Sequence, residues 1–170
     1  MINLARYRLD FEVKTPLRLP AFSGSTIRGA FGRALRDSVC ATKAKTCDGC
    51  PLLSSCSYAV VFEPRPPKTG HHLQNFSQIP RAYIIEPPLW GEKNYEVGEI
   101  LSFHIVLVGH VVEQLPLILW AFQKGFQHGV GRNDGEANLV CVWHEVGSQV
   151  VPILESICIG STVNPHEPTV

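Results

Sequence analysis

The sequence predicts an α+β domain with a four-stranded antiparallel sheet, and three observations carry that prediction. Period-two alternation of apolar and polar residues marks strands at Leu4–Val13, Ile100–Gly109 and Ala137–His144, with a shorter run at Ala82–Glu86. Two stretches, Ile27–Leu35 and Leu115–Phe126, repeat their apolar residues every 3.6 positions and read as helices. The resulting order is strand, helix, strand, strand, helix, strand, the βαββαβ split motif of ferredoxin-like folds. At 170 residues the chain is long enough for one domain whose core needs no disulfide staples.

Each element has a local reason. In the first strand Tyr7, Leu9, Phe11 and Val13 share one side, with Arg6, Arg8, Asp10 and Glu12 on the other. Thr15-Pro16 ends it, and Leu17–Gly24 reads as a turn-rich connector leading to Ser25 or Thr26 as helix N-cap. The helix stripe is Ile27, Ala30, Phe31, Ala34 and Leu35, while Arg28, Arg33 and Arg36 take other directions. Gly29 and Gly32 weaken that helix by about 1 kcal/mol each, which predicts close approach by a backbone or ligand there. Residues 39–80 form a long irregular insertion holding Cys40, Cys47, Cys50 and Cys56, several prolines and His71-His72. The second helix carries Leu115, Ile118, Leu119 and Phe122, and a glycine-rich loop from Gly125 to Gly135 leads into the last clear strand. Val150–Ile159 adds an edge strand, since Pro152 suits only an edge. The expected division is one domain over residues 1–145, with 146–170 as a C-terminal extension or the start of a second domain.

Composition narrows the class. Hydrophobic residues are 45% and charged residues 18%, which excludes a disordered or collagen-like chain. Apolar runs such as Leu115–Ala121 fall short of the roughly 20 residues of a membrane span. Charges interrupt Met1–Lys14, so it has no signal-peptide core, and a soluble cytoplasmic protein is expected. The net charge is zero, yet residues 1–45 hold nine Lys/Arg against three Asp/Glu. That basic front fits an anion-binding face or several separate solvated faces.

Four cysteines carry the densest chemistry. In Cys40-x6-Cys47-x2-Cys50-x5-Cys56 the Cys-x2-Cys pair can turn both sulfurs toward one point, and the flanking thiolates can complete a tetrahedron. Metal ligation is the first reading, with a disulfide or free buried thiols as the other. A structural zinc is expected, and an iron–sulfur cluster suits the same ligands. Cys141 and Cys158 sit in apolar runs and read as buried hydrophobes. The loop Gly125-x3-Gly129-Val-Gly131-Arg132-x2-Gly135 follows a helix and precedes a strand, the wrong order for a dinucleotide fingerprint. It reads either as backbone N–H groups that clasp a phosphate chain beside Arg132, or as a helix C-cap and turn. Any of the seven histidines could serve as general acid or base, although most histidines are surface or satisfied core residues.

Several of these segments resemble one family. The run Leu19-Pro-Ala-Phe-Ser-Gly-Ser-Thr-Ile-Arg-Gly-Ala-Phe-Gly-Arg-Ala-Leu-Arg36 resembles the first helix of the CRISPR-associated RAMP superfamily. Within it, the branch of precursor-crRNA-processing endoribonucleases with an N-terminal cysteine insertion is similar at Cys47–Tyr58 and Val61–Glu63. The similarity continues at Ile84–Pro88, Gly98–Gly109 and Gly129-Val-Gly-Arg132. The resemblance spans roughly residues 4–145. It implies a ferredoxin-like domain that binds CRISPR repeat RNA and cuts it without metal, leaving a 2′,3′-cyclic phosphate and a 5′-hydroxyl. It makes His71 or His72 the base or acid, and assigns RNA binding to Arg28, Arg33, Arg36, Gly129, Gly131 and Arg132. Members carry two such domains in tandem. The matching region here ends near residue 145, so the second half is expected from a partner, from a second copy or from further chain, or is dispensable.

Three functions follow as expectations. The first is CRISPR repeat RNA binding and processing; the second is a non-catalytic crRNA-binding subunit of a CRISPR ribonucleoprotein complex. The third is a metal-stabilised α+β domain with no nucleic-acid role. The first strand offers Tyr7 but the third mainly His104 and apolar residues, so the stacking sheet of RNA recognition modules is not expected.

Overall fold

A computed structural model of the chain describes residues 3–65 and 80–155. In chain order the elements are β1 (Leu4–Val13), β2 (Leu17–Leu19), α1 (Ser23–Val39), α2 (Ser57–Val61), β3 (Tyr83–Glu86), β4 (Lys93–Tyr95) and β5 (Ile100–Val108). A 3-10 turn (Gly109–Gln114) leads into α3 (Leu115–Gln127), followed by β6 (Ala137–Val146) and β7 (Gln149–Glu155). The main sheet is antiparallel in the order β3-β5-β1-β6-β7, and β2 pairs with β4 in a separate ribbon. It therefore has five strands among the described residues, the four of the predicted motif and the edge strand expected after Val150. The additional strand is β7, which pairs with β6 from Gln149 onward.

Period-two burial positions everything else. Tyr7, Leu9, Phe11 and Val13 of β1 and Leu101, Phe103, Ile105 and Leu107 of β5 point to one face and are fully or almost fully buried. The helices α1 and α3 carry their apolar stripes onto that face. Phe126 stacks on Phe11 at 4.2 Å between ring centroids, and Phe122 stacks on Phe31 at 4.4 Å, so the aromatic rings tie sheet to helices. Each such side chain contributes about 1.5–3 kcal/mol on burial.

Three local expectations change. Helix α1 begins at Ser23, with Phe22 at the cap and no side-chain cap bond; the Ser25 hydroxyl donates to the Phe22 carbonyl (3.4 Å) and so sits inside the first turn. The connector before α1 contains β2, too short for a periodic signal, and the insertion contains α2. The close approach expected along α1 occurs at Gly32, where a Cβ would lie 2.2 Å from the Phe62 ring, while Gly29 faces open space.

Candidate nucleic-acid interface

Helix geometry separates the three arginines of α1. Arg28 lies over the Phe62 ring at 5.3 Å. Arg36 lies over Tyr58 at 6.0 Å and donates to the Ala44 and Lys45 carbonyls at 2.6 and 2.9 Å. Both therefore brace the insertion against α1. Arg33 points away from Arg28, because five residues rotate a helix by about 140°. It lines a polar cavity of about 330 Å³ with Asp37, His128, Gly129 and Asp134. One guanidinium and one imidazole thus face two carboxylates, a set that can grip hydroxyls and base edges as well as phosphate.

The glycine loop completes this region and is a shaped element. Val130 and Gly135 exchange backbone hydrogen bonds at 2.9 and 3.0 Å, and the Arg132 amide donates to the Arg18 carbonyl at 3.0 Å. Asn133 fastens the loop to β2 from both directions. Its Oδ1 accepts from the Arg18 amide (2.9 Å) and its Nδ2 donates to the Pro16 carbonyl (2.5 Å). Gly131 has φ +90°, and a Cβ there would meet the Arg18 carbonyl oxygen at 2.3 Å, so only glycine lets the two backbones approach. Three of the amides that could face a phosphate are thus engaged within the fold. The loop sets Arg33 and His128 near Gly129, and Arg18 and Arg132 near Gly131. Arg132 also meets the Glu92 carboxylate at 2.8 Å.

Sequence reasoning passed over Arg18 because β2 is invisible to periodicity. It placed Arg6, Arg8, Asp10 and Glu12 on the sheet face that α1 and α3 leave open, but not the partners they find on other strands. There Arg6 pairs with Glu86 (2.7 Å) and with Glu145, and His104 Nε2 meets the same Glu145 at 3.1 Å. Asp10 accepts from the Ser102 hydroxyl and the Trp143 indole N–H, both at 2.7 Å, while Arg8 lies over the Trp143 ring at 5.0 Å. Burial, then the nearby Arg6 charge, lowers the His104 pKa below the ordinary histidine value. Tyr7 is not on this face: it is buried in the core, stacked on His144 at 5.1 Å. The arginines of this face are paired with carboxylates, so it is a charge-balanced surface. Cys141, expected to be buried, is half-buried at the β6 position opposite Asp10.

Cys40, Cys47, Cys50 and Cys56 line one cavity of about 190 Å³ at the C-terminal end of α1, with Thr42 and Tyr58. The Cys50 amide donates to the Cys47 carbonyl (3.3 Å), closing the Cys-x2-Cys turn, and Cys56 precedes α2. The Thr42 hydroxyl lies 3.8 Å from Cys40 Sγ and 3.9 Å from Cys50 Sγ. That contact lowers the Cys40 thiol pKa, whereas burial raises that of Cys47. Four thiols suit a thiophilic metal in donor chemistry. In geometry they do not close a shell: among the described residues no three His, Cys, Asp or Glu side chains gather tightly enough to hold an ion. His71 and His72 lie outside the described residues, as does Cys158. Among the described residues no helix is long and apolar enough to cross a membrane.

This chain belongs to the AF_1859_N family, N-terminal domain, whose match covers residues 2–167. Its fold is similar to that of a chain in the crystal structure of the Csm3-Csm4 subcomplex in the type III-A CRISPR-Cas interference complex. The TM-score is 0.52 at 13% sequence identity, over 91% of this chain and 90% of that one. The likeness is one of fold, a mainly antiparallel α+β architecture. No curated protein matches the sequence.

Proposed function

We propose that this chain is an RNA-binding RAMP module that grips CRISPR RNA within a larger CRISPR ribonucleoprotein. The observation that carries the reading is the glycine loop fastened to β2, which brings Arg18, Arg33, His128 and Arg132 around one backbone. Arginines around a hydrogen-bonded loop beside a polar cavity suit a phosphodiester chain with its hydroxyls and base edges. The fold likeness to a chain of a CRISPR-Cas interference complex supports the same reading. On it, β3, β5, β1 and β6 with α1 and α3 form a ferredoxin-like unit that β7 extends. Partners would be CRISPR repeat RNA, other CRISPR-associated subunits, and a second ferredoxin-like domain or a second copy.

A processing activity is the second reading, and the observation favouring it is that Arg33 and His128 line one cavity. An imidazole there, or at His71 or His72, would take the proton of a ribose 2′-hydroxyl as its oxygen bonds to the adjacent phosphorus. The bond from phosphorus to the 5′-oxygen breaks, an acid protonates that oxygen, and Arg33 offsets the phosphorane charge. We further propose that Cys40, Cys47, Cys50 and Cys56 hold a structural zinc, supported by their thiol chemistry and common cavity, with the sulfurs drawing together from their present spacing as the ion binds.

Incubating the chain with end-labelled repeat RNA in EDTA and resolving bound and cut species separates these readings. A shifted band without cleavage supports the gripping module. A single cut with a cyclic phosphate supports processing, which His71→Ala with His72→Ala, or His128→Ala, then assigns. Neither binding nor cutting overturns both.

A further inference from the structure

The α1 entrance carries an aromatic pair that the core does not use. Trp90 is 78% exposed and Phe22 65% exposed, and their rings meet edge to face with centroids 4.8 Å apart. Leu89 beside them is 83% exposed. The backbone holds the pair in place: the Gly91 amide donates to the Ala21 carbonyl at 3.4 Å, tying the β3–β4 connection to the turn before α1. Leaving so much aromatic surface in water forgoes the burial that stabilises the rest of the domain, and contiguous exposed apolar groups mark contact sites. The charged surroundings say which kind of contact. Lys93 opens β4, Arg18 sits across from Asn94 in the β2–β4 ribbon, and Arg132 meets Glu92, two residues beyond Trp90. Three cations against one carboxylate beside open ring faces suit an anionic ligand that also brings flat apolar rings. An unpaired stretch of nucleic acid is that ligand; an apolar peptide would not need the cations, and a duplex hides its base faces.

We propose that Trp90, in T-shaped contact with Phe22, is a stacking platform for an unpaired base of the bound RNA. The inference rests on the RNA-binding reading above and deepens it by naming single-stranded RNA as the substrate class. Aromatic stacking is sequence-tolerant, because every base has a π-face. The platform therefore contributes affinity for single strands without reading their sequence, while Arg18, Arg33 and Arg132 hold the backbone.

The test compares Trp90→Ala, Trp90→Phe and Arg33→Ala with the wild type by fluorescence anisotropy on a labelled single-stranded repeat RNA and on its duplex. Trp90→Ala should weaken single-strand binding by roughly 5- to 150-fold, the effect of losing one stacked base. The duplex should be unaffected, and the slope of affinity against salt should stay unchanged. Trp90→Phe should restore most of the loss. The side chain is exposed, so an unchanged thermal midpoint is expected and separates lost contact from lost fold. If Arg33→Ala weakens binding while Trp90→Ala does not, RNA binding stands and the platform is overturned. If the wild type binds neither RNA, both readings fail together. If Trp90→Ala spares RNA affinity but abolishes co-purification with a CRISPR-associated protein subunit, the aromatic pair is a protein contact and the platform is overturned.

Discussion

The Arg132 guanidinium meets the Glu92 carboxylate at 2.8 Å, so the cation at the tip of the glycine loop is shared with the β3–β4 connection. Both side chains are more than half exposed, and an ion pair of that kind contributes about 1 kcal/mol or less to stability. Its larger consequence is for ligand binding, since a phosphate must compete with Glu92 for Arg132. Replacing Glu92 with Gln is expected to leave the thermal midpoint almost unchanged and to tighten RNA binding several-fold. The salt slope should steepen by up to about 0.7, the effect of one more phosphate contact on a single strand. Anisotropy titrations at three or more salt concentrations measure both.

Gly32 faces the ring of Phe62, which is packed among Phe31, Tyr58 and Tyr83. Alanine at this helical position would gain up to about 1 kcal/mol of propensity. It would also drive a methyl group into a ring that its neighbours confine, at a cost of about 1–3 kcal/mol. The clash should win, so Gly32→Ala is expected to lower the thermal midpoint by a few degrees. Gly29→Ala, whose Cβ would meet open space, is expected to raise it slightly.

His104 links stability to pH. Burial and Arg6 hold its folded-state pKa below the ordinary 6.5, while Glu86 and Asp10 oppose that shift and Glu145 bonds Nε2. The unfolded chain therefore takes up a proton near pH 6.5 that the folded chain accepts only at lower pH. Stability from this group is complete above about 6.5 and is lost as pH falls toward the folded pKa. Chemical denaturation from pH 7.5 to 5 is expected to show that decline, and His104→Gln to flatten it.

The zinc proposal concerns the stability of the insertion. Metal analysis of protein purified without oxygen is expected to give one zinc per chain, lost on replacing Cys47 and Cys50 with Ser. Iron with visible absorbance would replace zinc by a cluster, and metal-free protein would contradict ligation altogether.

What was legible in the sequence was whatever repeats locally. The alternation of Tyr7, Leu9, Phe11 and Val13 and the stripe from Ile27 to Leu35 gave β1 and α1, because burial on one face imposes those periods. Elements β2 and β4 were not legible. Three residues carry no period, and their pairing joins Leu17 to Tyr95 across the insertion. The same holds for the charge network on the open sheet face, where Arg6 reaches Glu86 and Glu145 on two other strands. The resemblance grouped Arg28, Arg33 and Arg36 as one RNA-binding set, yet helical rotation alone separates Arg33 from Arg28. Trp90 and Phe22 left no signal, since an exposed aromatic residue and a core one read alike in sequence.

The salt dependence of repeat-RNA binding tests the central claim most directly. With Arg18 and Arg33 contacting phosphates of a single strand and Arg132 divided between phosphate and Glu92, log affinity should fall against log salt with a slope between about −1.4 and −2. Arg33→Ala should lower affinity and reduce that slope by about 0.7. Absence of binding, or binding indifferent to both salt and Arg33, would contradict an RNA-gripping role for the glycine-loop face.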